Sequence, residues 1–212
     1  MRNRPLIIVG GGGHGKVVMD IAEMMGDFSL LAIADDKFTT IQESNDILCG
    51  PTSIIGNLLE ADQEALVIIA IGDNRSRFRM AERLDLPKER YAKLQHPGAH
   101  VSKHAIVAPG TVVMAGAVVN TTASIAAHAI INSGAVIEHD VVVGPFAHIS
   151  PNAALAGAVT VGEGAHVGIG ASVIPGVRIG KWSVLGAGAA AIRDVLDHLI
   201  AVGVPAKVID RT

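Results

Sequence analysis

Between Val101 and Ala191 the chain repeats itself every six residues. Stepping by six from Val101 gives Val107, Val113, Val119, Ile125, Ile131, Ile137, Val143, Ile149, Leu155, Val161, Val167, Val173, Ile179, Leu185 and Ala191. Fifteen of these sixteen positions are Val, Ile or Leu, although those types supply only 61 of the 212 residues, so the register is not chance. Two places before each stands Ala, Thr, Ser or Val, from Ala99 to Ala189. One aliphatic and one small position per six residues predicts a parallel β-helix. Three hexapeptides turn one triangular coil, the aliphatic side chains stack inside it, and the small ones leave room at the crowded inner positions. Sixteen hexapeptides give about five coils. Composition fits such thin layers: half of the residues are apolar, but only six are aromatic.

Residues 1–95 lack the repeat and read as alternating strands and helices. Pro5 to Val9 is a buried strand, followed by Gly10-Gly11-Gly12-Gly13-His14-Gly15. Lys16 to Met25 has apolar residues at helical spacing and stops at Gly26. Leu30 to Ala34 is a second strand ending in Asp35-Asp36. Leu66 to Ile71 is a third, followed by the Gly72-Asp73-Asn74 loop and a helix over Ser76 to Leu84. This predicts an α/β N-terminal domain (1–95) with a small parallel sheet, about half of a Rossmann fold. The segment around His96-Pro97 joins it to the β-helix and C-terminal tail (96–212).

The net charge of −3, without Lys/Arg clusters, argues against nucleic acid or an anionic membrane as the main partner. The single cysteine, Cys49, cannot form an intrachain disulfide, which suits a reducing compartment. The apolar run ending at Val9 is too short for a signal peptide or a membrane span, and no later stretch reaches about 18 apolar residues. A soluble, cytoplasmic chain is expected.

Gly10, Gly12 and Gly15 satisfy G-x-G-x-x-G between a strand and a helix, and Asp35 lies where a ribose-binding acid would be expected. Taken alone this says NAD. The physics is less specific, because a glycine-rich turn at a helix N-terminus presents N–H groups to any phosphate. The second mononucleotide-binding half is also missing, since the β-helix begins where it should be. A diphosphate-containing ligand is the preferred reading, with a dinucleotide or a purely structural turn as alternatives.

Taken with the repeat, these residues make the chain resemble the bacterial sugar-nucleotide N-acetyltransferases. These comprise the UDP-4-amino-sugar and perosamine acetyltransferases and their sialic acid O-acetyltransferase relatives. The likeness covers nearly the whole chain. It rests on Ile8 through Lys16, Ala34-Asp35-Asp36, Ile71 through Asn74, Asn132 through Asp140, Phe146 through Pro151, and Gly203-Val204-Pro205-Ala206-Lys207. The resemblance implies a left-handed β-helix, a handedness that periodicity does not fix because parallel crossovers are normally right-handed. It implies an acetyltransferase that uses acetyl-CoA as co-substrate, without a metal, on a nucleotide-linked amino sugar. The N-terminal domain would hold the sugar nucleotide, with Gly12, Gly13 and His14 at the diphosphate-sugar and Asp35, Asp36 and Gly72 lining the nucleotide pocket. The β-helix would hold acetyl-CoA at His148, Gly157, Ile169 and Ala187, the last departing from a frequent glycine. A homotrimer with active sites between subunits is implied as well.

Moving an acetyl group to an amine needs a base, because only the amine's lone pair attacks, and histidine titrates near operating pH. Of nine histidines, His96, His100, His104 and His128 are expected at coil corners, and His198 follows the last coil. His148 and His166, 18 residues apart, should stack on one face. His139-Asp140 stands out, because a corner imidazole is followed by a carboxylate able to orient it. By the resemblance His139 is the general base and Asp140 its partner, where the family more often carries Glu. His148 would polarise the acetyl carbonyl. Two other classes stay open at this level: a metal-dependent lyase with histidine ligands on the same β-helix, and a non-catalytic nucleotide-binding module. The preferred substrate is a UDP-4-amino-4,6-dideoxy sugar, with O-acetylation of sialic acid or another sugar as the alternative.

Overall fold

The structure, a computed structural model, describes residues 3–44 and 46–209. The chain forms two compact units, Met1–Pro97 and Gly98–Thr212.

The first unit is an α/β sandwich built on β1 (Arg4–Val9), α1 (Gly13–Met25), β2 (Phe28–Ala34), β3 (Gln42–Ser44), β4 (Ile47–Gly50), α2 (Ile55–Ala61), β5 (Leu66–Ile69) and α3 (Asn74–Leu84). The sheet order is β3-β4-β2-β1-β5, parallel except for β3, which pairs antiparallel with β4. Leu6 to Val9 and Leu66 to Ile69 are continuous apolar runs buried throughout, as strands covered on both faces must be. The β3–β4 hairpin and α2 go beyond the sequence expectation, because residues 39–62 carry neither a clear period of two nor one of 3.6. Helix α1 starts three residues earlier than expected, since the glycine run itself makes the first turn. It ends where Gly26 turns left-handed at φ 69° and returns its N–H to Glu23 O. Helix α3 starts at Asn74, capped by Asp73, whose Oδ1 accepts Ser76 N–H at 2.8 Å.

Gly15 shows why a glycine closes this turn. A Cβ there would run into the Gly10 carbonyl oxygen, a backbone atom that cannot step aside. Helix propensity alone favours Ala over Gly by about 0.5–1 kcal/mol. The collision reverses that sign. Gly15→Ala is expected to lose about 1–3 kcal/mol in denaturant unfolding. Gly13→Ala, whose Cβ would meet open space, is expected to stay within about 1 kcal/mol of the parent.

The second unit is a left-handed parallel β-helix of three faces. The first face stacks strands from His100–Val101 to Ala190–Ala191, the second from Ile106–Val107 to Arg178–Ile179, and the third from Val112–Val113 to Val184–Leu185. Neighbouring strands are 18 residues apart in register, as in Val136↔Ala154 and His148↔His166. The aliphatic positions from Val113 to Ala191 are buried, and so are the small ones from Ala117 to Ala189. Two small positions are polar, and each is satisfied by a backbone carbonyl: Thr111 donates to Ala126 O and Ser183 to Gly180 O. Corners recur every six residues in the left-handed region, including Thr122, His128, Asp140 and Ala158 at φ near 60°. His128 is thus at a corner, but His100 lies on the first strand of the first face instead. His148 and His166 do stack, with ring centroids 5.0 Å apart.

The coil does not end at Ala191, as the repeat suggests. Val195 bridges to Ile179, and Ala201 pairs with Leu185, sixteen rather than eighteen residues on. The shortened corner breaks the sequence period while preserving the stacking. His198 therefore lies within this extra turn, and the Ile200–Val202 strand then pairs antiparallel with Lys207–Ile209. Among the described residues no helix is long and apolar enough to cross a membrane.

Candidate active site

The glycine turn is clasped from β2. Gly11 N–H donates to Asp35 Oδ2 at 2.7 Å, and the Lys37 ammonium donates to Gly11 O at 2.7 Å. Partial burial pushes the Asp35 carboxyl up, but the N–H groups of Lys37 and Gly11 and the Lys37 charge together hold it below the usual range. Asp36 accepts from Thr52 N–H at 3.0 Å and from the Thr52 hydroxyl, and Arg83 donates to its other oxygen at 3.0 Å. Those bonds, led by the Thr52 hydroxyl, lower its pKa. Gly10, Asp35, Asp36, Thr52, Ile71 and Met80 line one cavity. Both predicted carboxylates are therefore ionised and pre-positioned at that cavity.

At the start of α1, Gly12 takes the N-cap position without a side chain to cap it, and no acidic residue follows in the first turn. The helix N-terminus is left electropositive, which suits an anion. His14 Nε2 is buried and has no hydrogen-bond partner among the described residues. Burial, with the Arg77 charge second, pushes the His14 pKa down to about 4, so the ring is neutral at pH 7. Arg77 is fully buried and donates to Ile71 O at 2.8 Å, Gly72 O at 3.3 Å and Asn74 Oδ1 at 2.9 Å. It braces the Gly72 loop beside His14, where a Cβ on Gly72 would stand 3.9 Å from His14 Cβ. Arg77, Thr52 and Arg83 escape a reading of the sequence, because nothing in their local pattern marks them.

In the β-helix, His139 occupies the corner between the first and second faces. Its Nδ1 lies 2.9 Å from Asp140 Oδ2, so the shorter acid reaches the ring. An ionised carboxylate only accepts, which puts the proton on Nδ1 and leaves the Nε2 lone pair able to accept one. The hydrogen bond to Asp140 raises the His139 pKa above its ordinary value, with the charges of Asp140 and Glu138 adding to it. The His139 side chain is exposed to solvent. Gly157 lies one coil below in the same corner column.

His148 projects outward from the third face. Ser133 N–H donates to Asn132 Oδ1 at 2.8 Å, which turns the amide nitrogen towards His148 Nε2 at 3.0 Å. That nitrogen of the imidazole must then accept, so the proton sits on Nδ1. Ile169 and Ala187 are exposed, one coil apart on the corner between the third and first faces. Gly188 N–H bonds the Ile169 carbonyl. Within one chain, then, His139 and Gly157 come together, and Ile169 and Ala187 come together. His139 and His148 do not, because a triangular coil sets the His139 corner across the core from the third face. No group of three or more His, Cys, Asp or Glu is placed to hold a metal ion among the described residues.

Residues 5–84 match the family described as the PglD N-terminal domain. PerB from Caulobacter crescentus, solved in complex with CoA and GDP-perosamine, is 38% identical to this chain. The match covers 97% of each chain with a TM-score of 0.88. The chain belongs to the bacterial sugar-nucleotide N-acetyltransferases. This family's acetyltransferase domain of PglB from Neisseria gonorrhoeae, solved with acetyl coenzyme A, is 33% identical, covers 98% of this chain and 100% of that one, and has a TM-score of 0.85. A third family member, the UDP-N-acetylbacillosamine N-acetyltransferase of Bacillus subtilis (strain 168), is 48% identical over 108 residues, 51% of this chain. That match spans about half, 50%, of the length of this curated relative.

Proposed function

We propose that the chain transfers the acetyl group of acetyl-CoA to the amino group of a nucleotide-linked amino sugar, a UDP-4-amino-4,6-dideoxy sugar being the preferred substrate. The observation that carries this reading is the His139–Asp140 pair, whose 2.9 Å bond leaves Nε2 as an exposed base. The relatives' complexes with CoA, acetyl coenzyme A and GDP-perosamine support the substrate classes.

In this mechanism His139 Nε2 takes a proton from the attacking amine as the C–N bond forms at the thioester carbonyl. Asp140 stabilises the resulting imidazolium. The C–S bond then breaks, and the imidazolium returns its proton to the departing sulfur. His148 polarises the carbonyl, and Gly157, Ile169 and Ala187 border the acetyl-CoA groove. Gly12, Gly13 and His14 meet the diphosphate-sugar, where a neutral His14 adds no charge of its own but can still hydrogen-bond. Asp35, Asp36 and Gly72 border the nucleotide. Since His139 and His148 lie on opposite sides of one coil, the working site takes the base from one subunit and His148 from the next. That arrangement suits a homotrimer. The cytoplasm, where acetyl-CoA is available, is the proposed location.

The test is a panel of UDP- and GDP-linked amino sugars offered with acetyl-CoA, with thiol release as the signal. In the same samples acetyl-CoA and the accepted sugar nucleotide should each raise the melting temperature. A ligand at a hundredfold excess over its Kd adds about 2.7 kcal/mol. NAD should give no shift. A response to NAD without one to acetyl-CoA would overturn the assignment.

A further inference from the structure

The seat of His139 is built by coils above and below it. Asp140 Oδ2 holds the imidazole, and its other oxygen, Oδ1, lies 2.6 Å from the hydroxyl of Thr122, one coil earlier in the same corner column. A carboxylate cannot donate, so the Thr122 hydroxyl is the donor. Its single proton is shared with the carbonyl of Thr121, 2.5 Å away. On the other side of the ring, a Cβ on Gly157 would fall 2.6 Å from both Cε1 and Nε2 of His139. Those are the edge and the atom that must face the substrate.

We infer that Thr122 and Gly157 are positioning residues for the base: Thr122 fixes the carboxylate that orients the ring, and Gly157 leaves the space in which Nε2 lies. The inference rests on the reading of His139 as the base. Asp140 is exposed, and an exposed carboxylate on two rotatable bonds swings freely unless something holds it. The Thr122 hydroxyl supplies that hold and is the leading cause of the lowered Asp140 pKa. The charged groups facing the ring are Asp140 and Glu138, both from its own corner. Gly157 needs no left-handed backbone. Its requirement for glycine therefore comes from the imidazole above it, since Ala could adopt its backbone without strain.

The experiment pairs steady-state kinetics with NMR titration of the His139 imidazole, assigned by its disappearance in His139→Ala. Thr122→Val keeps the shape and the β-branch but removes the donor. It should lower kcat about tenfold, leave both KM values unchanged, and move the His139 pKa down towards about 6.5. Thr122→Ser keeps the donor and should restore kcat and the titration. Gly157→Ala should displace the ring, seen as a changed His139 shift and a lowered kcat. An unchanged His139 titration in Thr122→Val, or a Ser variant no better than Val, overturns the role of Thr122. A Gly157→Ala variant that raises only the acetyl-CoA KM, with the His139 signal unmoved, overturns the role of Gly157. The NMR readout does not depend on activity. If His139→Ala stays active, the base assignment fails while the titration still reports whether Thr122 and Gly157 position the ring.

Discussion

His139→Ala is expected to lower kcat by about 10²–10⁴-fold, the contribution of a positioned acid–base group. KM for either substrate should change far less, because a corner side chain adds little to a groove formed mainly by backbone. The residual rate should climb with pH as more of the amine loses its proton unaided. In the parent enzyme the base imposes a limb of the same sign, set by its own titration rather than by that of the amine. As the proposed base, His139 works only when unprotonated, and Asp140 raises its pKa through the hydrogen bond and charge. Activity should therefore fall as pH drops through a value above about 6.5. Asp140→Asn removes that support, so its acid limb should move to lower pH with a smaller loss at the plateau. Steady-state profiles of the three proteins, with circular dichroism to verify folding, decide the matter. Retention of more than about a third of turnover by His139→Ala would leave this residue an ordinary surface histidine.

Co-expressing two impaired variants should give back activity. If each site takes its base from one subunit and His148 from the next, His139→Ala and His148→Ala damage different halves of it. Co-expressed in equal amounts, they assemble at random, and about a quarter of the interfaces then carry both intact histidines. Recovery to about a quarter of the parent rate is expected at low acetyl-CoA, whereas simply mixing the purified proteins without subunit exchange should recover nothing. A co-expressed mixture no more active than its components would place both histidines in one subunit's site, against the opposed faces seen in the coil.

Much of this molecule could be read from its sequence because the β-helix is a local device. Each hexapeptide states its own inner and outer positions, so errors of register do not accumulate along the chain, and the His148–His166 stack follows from counting eighteen. The same count from Asp140 leads back to Thr122, yet a threonine among Ala, Thr and Asn carries no mark of its own. Where the corner after Ala191 drops two residues, the period fails although the stacking continues. In the α/β unit, Gly10 to Gly15 announces its turn through composition. The partners of Asp36 do not, since Thr52 and Arg83 are distant in sequence and reach it only through the tertiary fold. The tilt of an amide is equally hidden: Asn132 belongs to a recognisable motif, but its hold on His148 depends on how the Ser133 N–H turns its side chain.

The backbone of the His139 corner is tied to both neighbouring coils. Asp140 N–H bonds Thr121 O in the coil before, and Ala158 N–H bonds His139 O from the coil after. In a stack whose cooperativity runs between nearest neighbours, unravelling begins at the ends and proceeds one coil at a time. His139 follows the third of the six strands on the first face, so fraying from either end must cross intact coils before reaching it. Amide exchange at this corner should therefore approach the slowest class in the β-helix. A side chain open to solvent is thus mounted where the solenoid is expected to breathe least.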